Sequence, residues 1–70
     1  MSSWPAVKAK RLLKALERIG WVVERQSGSH RWLAHPDGGR YVFAFHDDVE
    51  IGPVMLKRVA RDTGLKAEDL

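Results

Sequence analysis

The chain contains no cysteine. That excludes a disulfide framework and any thiolate metal site, and it suits a reducing compartment. Long apolar runs are missing too. None approaches the length that spans a bilayer, and the first residues lack the apolar core of a secretory leader. No membrane contact is therefore expected, and the cytoplasm is the expected location. No repeat, linker or low-complexity tract divides the chain. Its 70 residues read as one small domain, 1–70, with a modest core and little stability to spare.

What is present is aromatic bulk and charge. Trp4, Trp21, Trp32, Tyr41, Phe43 and Phe45 supply the volume. Residues 1–40 carry eight Lys or Arg against three Asp or Glu, and residues 41–70 carry four against six. A basic first part points to a polyanion or an acidic partner. A surface tuned for solubility would look the same.

Pro5 suits the first turn of a helix, and Ser3 can cap it. Over 6–19 the residues Ala9, Leu12, Leu13, Ala15, Leu16 and Ile19 share one arc at about 100° per residue. Gly20 closes this helix as a left-handed cap. Residues 21–25, 30–35 and 40–45 read as strands, separated by turns at 26–29 and 36–39. After an acidic loop at 47–50, Pro53 opens a second helix that Gly64 closes. Val54, Met55, Leu56, Val59 and Ala60 form its apolar side, Leu65 can pack behind the cap, and residues 66–70 allow one more turn. The order α-β-β-β-α predicts an α+β fold. A three-stranded antiparallel sheet should carry both helices on one face.

Two four-residue turns would pair Arg25 with His30, Val23 with Trp32, His35 with Arg40 and Trp32 with Phe43. One face then holds Trp21, Val23, Trp32, Ala34, Tyr41, Phe43 and Phe45, and should lie under the helices. On the other face Glu24 opposes Arg31. Arg25 and His30 would sit at the rim of the apolar face. The start of the first helix, with Lys8, Lys10 and Arg11, returns to that same end of the sheet. His46 closes the third strand there, across from Ser29. Such a gathering of histidines and cations suits a phosphodiester. Metal does not fit: His30 and His35 are five apart on a strand and point to opposite faces. No cofactor is implied.

The ordered set "GSH" at 28–30, "HPDGGR" at 35–40, "FAFH" at 43–46 and "GPVMLKRVARDTGL" at 52–65 resembles the HicA family of toxins, also called YcfA-like mRNA interferases. The resemblance covers nearly the whole chain. It implies a fold similar to a double-stranded-RNA-binding domain. It implies an endoribonuclease that cleaves mRNA and arrests translation, and a HicB antitoxin that binds and blocks it. The histidine of the family's Gly-Ser-His motif is catalytic, and that role falls on His30. The chain departs from the family pattern at Ala44, where proline is frequent, and in the acidic loop 47–50, which is often basic or mixed.

Imidazole suits the implied chemistry, because both of its forms exist near neutral pH. RNA brings its own nucleophile, the 2′-hydroxyl, so one base and one acid suffice without metal. His30 is the expected base and His46 the nearest candidate acid. Ser29 is placed to orient His30 or to stabilise the turn. Lys8, Lys10, Arg11, Arg25, Gly28 and Arg31 are the expected RNA contacts, the cations through phosphates. Trp32 reads as core. On spacing alone His30 is a strand-edge histidine, and the alternative is a non-catalytic RNA-binding module of the same fold.

Overall fold

The computed structural model describes residues 4–70. Ser3, the expected cap, lies outside the described residues. In chain order the elements are β1 (Val7–Lys8), α1 (Ala9–Arg18), β2 (Val22–Ser27), β3 (His30–Ala34), β4 (Arg40–Phe43), β5 (Glu50–Ile51) and α2 (Pro53–Thr63), followed by a 3-10 turn at Ala67–Asp69. Strands β2, β3 and β4 form the expected antiparallel meander, while β1 and β5 form a separate two-stranded ribbon. The fold is α+β, with both helices packed against one face of the meander.

The ribbon changes where the first helix begins. Val7 pairs with Ile51 and Lys8 with Glu50, an opposite-charge pair of the kind that favours strand association. Both apolar members are buried. Helix α1 therefore starts at Ala9 rather than at residue 6, and Pro5 lies ahead of the ribbon instead of in a first turn. Lys8 has no acceptor side chain to serve as cap. The loop after β4 supplies the caps instead: Ala9 N–H donates to Val49 O (2.8 Å) and Lys10 N–H to Asp47 O (3.1 Å). These bonds satisfy two of the helix's orphan donors. The periodicity of Ala9, Leu12, Ala15 and Leu16 holds, and all four are buried.

Register departs from the expectation at both hairpins. The β2–β3 turn is only Gly28 and Ser29, since Ser27 pairs with His30. Gly28 adopts φ +60°, as a tight hairpin demands. The β3–β4 turn spans residues 35–39, because Ala34 pairs with Arg40. It is closed by His35 N–H to Gly39 O (3.0 Å) and Gly38 N–H to His35 O (2.9 Å). One extra turn residue slips the register by one, and a slip of one exchanges the faces. Leu33 and Phe43 are buried at 1% and 0% exposure, and Trp32 and Ala34 lie on the opposite, uncovered face. The register also breaks between Val23 and Arg25. That irregularity lets Val23 pack against the core while Arg25 faces Trp32 on the open side. Glu24 pairs with Arg40, not with Arg31.

Gly20 joins α1 to β2 at φ +109°, and a Cβ there would lie 2.6 Å from His35 Nε2. That nitrogen donates to Ile19 O (2.8 Å). Glycine is needed at this junction for conformation and for space alike. Trp21 is buried against the core, and its Nε1–H donates to Thr63 O (3.0 Å), tying the sheet to the end of α2. Helix α2 has Pro53 in its first turn and Gly64 as its left-handed cap. Its buried stripe is narrower than expected. Leu56, Val59 and Thr63 face inward, whereas Val54 and Met55 are exposed. The closing 3-10 turn is held against α1: Arg11 donates to Leu70 O (2.8 Å) and Arg18 to Asp69 O (2.7 Å).

Candidate nucleic-acid interface

The β2–β3 hairpin places His30 as the first residue of β3, exposed and opposite Ser27. The one-residue slip puts it on the open face of the sheet, not at the rim beneath the helices. Its ring stacks with Trp32 at 6.0 Å between centroids and 29° between planes. The Arg25 guanidinium sits 4.9 Å from the centre of the same indole, within the range of a cation–π contact. Arg25, Trp32 and His30 thus form one row on the uncovered side. The expected pairing of Arg25 with His30 is replaced by Arg25 with Trp32.

Gly28 and Ser29 line a cleft of about 390 Å³ on the adjoining surface, together with Arg31, Phe45, His46 and the carboxylates Asp47 and Asp48. Arg31 alternates with His30 along β3 and points the other way. Its side chain is 15% exposed, and Nη2 pairs with Asp47 at 3.2 Å. Nη1 is buried without a hydrogen-bond partner among the described residues. Ser29 and His46 are brought into this cleft, as the sequence implied. His30 does not line it. Strand β4 ends at Phe43, so His46 sits in the following loop, where its carbonyl accepts from Val49 N–H (3.0 Å).

Lys8, Lys10 and Lys14 line a second cleft of about 460 Å³ with Arg11, Arg18 and Leu70; Asp47 and Asp48 form its wall toward the first. The cations of α1 are not equivalent. Arg11 and Arg18 are engaged by the carbonyls of the closing turn, while all three lysines are exposed. The start of α1 offers little to an anion, because the loop carbonyls of Val49 and Asp47 already hold its first N–H groups.

Trp32 and Asp47 are what sequence reasoning missed. Hydrophobicity alone assigns Trp32 to the core, and only the strand register puts it outside. The Asp47 contact links residues 16 apart and has no local signature. Among the described residues no three His, Asp or Glu side chains gather as metal ligands, and no helix is long and apolar enough to cross a membrane. Burial, reinforced by the Asp62 carboxylate, pushes the Tyr41 phenol above its ordinary 10.0.

Comparison with curated proteins gave no match. A family model described as the HicA toxin of bacterial toxin–antitoxin systems matches residues 9–65, from the first residue of α1 to the apolar residue behind the Gly64 cap. A match over that much of the chain, on this fold, establishes that the protein belongs to the HicA toxin family.

Proposed function

We propose that this toxin is a metal-independent endoribonuclease that cleaves mRNA, with residues 1–70 acting as one RNA-binding and catalytic domain in the cytoplasm. The observation that carries this reading is His30, an exposed imidazole that directly follows the tight Gly-Ser turn. In the reaction His30 takes the proton of the 2′-hydroxyl. The 2′-oxygen attacks phosphorus, a 2′,3′-cyclic phosphate forms, and the bond to the 5′-oxygen breaks. That oxygen leaves with a proton from an acid, for which His46, in the cleft that Ser29 also lines, is the candidate. Arg25 and Gly28 flank the scissile region, Arg31 meets the RNA from the cleft that holds His46, and the lysines of the basic cleft take phosphates farther along the strand. Arg31 serves best while Asp47 holds its guanidinium in one orientation.

One feature favours a non-catalytic RNA-binding module: His30 lies outside the cleft that holds His46. Cleavage decides between the two. Wild type in excess EDTA should cut an unstructured RNA and leave its 2′-deoxy analogue intact, and His30→Ala should bind the RNA without cutting it. Equal cutting by His30→Ala, or of the deoxy analogue, would disprove the mechanism.

The antitoxin partner we propose is a HicB protein that covers the His30 end and the basic cleft, drawn there by charge complementarity. Amide exchange of the complex should show protection at 25–31 and along α1. Protection confined to the 36–39 turn would contradict this.

A further inference from the structure

Trp32 is a large aromatic on the open side of the sheet, beside Val22 and Val42, which are 57% and 46% exposed. What covers its ring is not a helix but the Arg25 guanidinium and the His30 imidazole. Among the described residues Arg25 has no ion-pair partner. The adjacent carboxylate, Glu24, is taken by Arg40. The face therefore presents an aromatic plane, an uncompensated planar cation and the candidate catalytic imidazole in one row.

We propose that Trp32 is a stacking platform for one base of single-stranded RNA, and that Arg25 leaves the indole to hold a neighbouring phosphate when the base arrives. This rests on the ribonuclease reading for its choice of RNA. The ring separation of 6.0 Å between His30 and Trp32 lets one nucleotide place its sugar and phosphate at His30 and its base on the indole. The exchange is favourable by magnitude. An exposed cation–π contact is worth about 2- to 5-fold in an equilibrium, and a base stacked on an aromatic side chain about 5- to 150-fold. Arg25 also gains a charge-assisted bond to phosphate in place of the contact it gives up. A duplex cannot make this contact, because its bases are already stacked and paired. The platform therefore selects unpaired RNA and tolerates any base.

A 2′-O-methyl single-stranded oligonucleotide offers bases and phosphates without a nucleophile, so it binds uncut. Its Kd is measured by fluorescence anisotropy for wild type, Trp32→Phe and Trp32→Ala, beside the same oligonucleotide made abasic. Trp32→Ala should weaken binding of the intact oligonucleotide about 5- to 150-fold, and Trp32→Phe should keep most of the affinity. The abasic strand should bind all three proteins alike. Unchanged affinity of Trp32→Ala for the intact strand overturns the proposal and leaves the face to a protein partner. An equal loss with the abasic strand also overturns it, by making the role structural. Should Trp32→Ala not fold, wild type must still prefer the base-bearing strand over the abasic one, and no preference overturns the proposal. The 2′-hydroxyl version is incubated in parallel. Base-dependent binding without cleavage would remove the ribonuclease reading and keep the platform, and cleavage with a Kd indifferent to Trp32 would do the reverse.

Discussion

On the covered side of the sheet Leu33 is 1% exposed and Phe43 0%, whereas Val42, their neighbour across and along the same strands, is 46% exposed. Leu33 belongs to the buried core; Trp32, one residue before it, faces the open side with Arg25 and His30 against its ring. Packing uses up the inner residues. Their shape and volume are fixed by contacts from every direction. No helix covers the outer residues, which lie against one another as Arg25 and His30 do on Trp32, so their side chains remain available to a ligand. Stability should therefore reside in one face and activity in the other.

The sharpest break of that division is His30→Ala. Loss of a general base typically costs about 10²–10⁴-fold in rate, and the core packing stays intact. Cleavage of an unstructured RNA should fall by that factor at an unchanged melting temperature. A large fall in melting temperature would show that the outer face is structural after all.

Leu33→Ala is the reciprocal test. A buried leucine cut to alanine costs about 2–5 kcal/mol, and a domain this small has little more than that to lose. Denaturant unfolding should show the loss, and RNA cleavage measured on the fraction still folded should be near normal. A stable but inactive Leu33→Ala would collapse the distinction between the faces.

A smaller effect separates the cations of α1. Replacing Lys8, Lys10 and Lys14 by alanine should flatten the salt dependence of RNA binding, by roughly 0.7 in log–log slope for each phosphate that the lysines neutralise. Arg11→Ala and Arg18→Ala should instead lower the melting temperature, because they release the closing turn. An unchanged slope in the lysine variant would mark its cleft as solvated surface.

The smallest effect concerns Tyr41, half-buried on the covered face. Its phenol is raised above 10.0 by burial and by Asp62, so the folded protein holds the proton more tightly than the unfolded chain. The associated stability is complete below about pH 10 and is lost as pH rises through the folded value. Tyr41→Phe should make the fall in melting temperature above pH 10 shallower. Parallel curves for the two proteins would show that Tyr41 does not contribute to alkaline unfolding.

Local signals were legible where they depended on a few neighbouring residues. Pro53 and Gly64 bracket α2 because each carries its own backbone restriction. The arc of Ala9, Leu12, Ala15 and Leu16 identified α1, since burial follows helical period. The three strands and their order followed from turn residues. The helix start was not legible, because Val7 joins a ribbon whose other strand lies more than forty residues away. Nor was the register. A turn's composition at 36–39 marks a reversal but not whether four or five residues make it. For the site, the motif at 28–30 pointed to His30, and the turn put Ser29 in the cleft that His46 also lines. The row of Arg25, Trp32 and His30 depended on the strand irregularity between Val23 and Arg25, which alternation alone does not predict.

By itself the sequence determined the α+β class, the order of the three strands of the meander, the caps at Gly20 and Gly64 and the family to which the chain belongs. Each of these rests on short-range restrictions or on an ordered pattern of residues. Only the tertiary structure decided which side of the sheet the helices cover, which cations of α1 are already engaged, and that Trp32 stands outside beside His30. A strand has two faces one residue apart. The choice between them is made by the packing of Leu33 and Phe43 against the helices, a sum over distant residues that no local stretch contains.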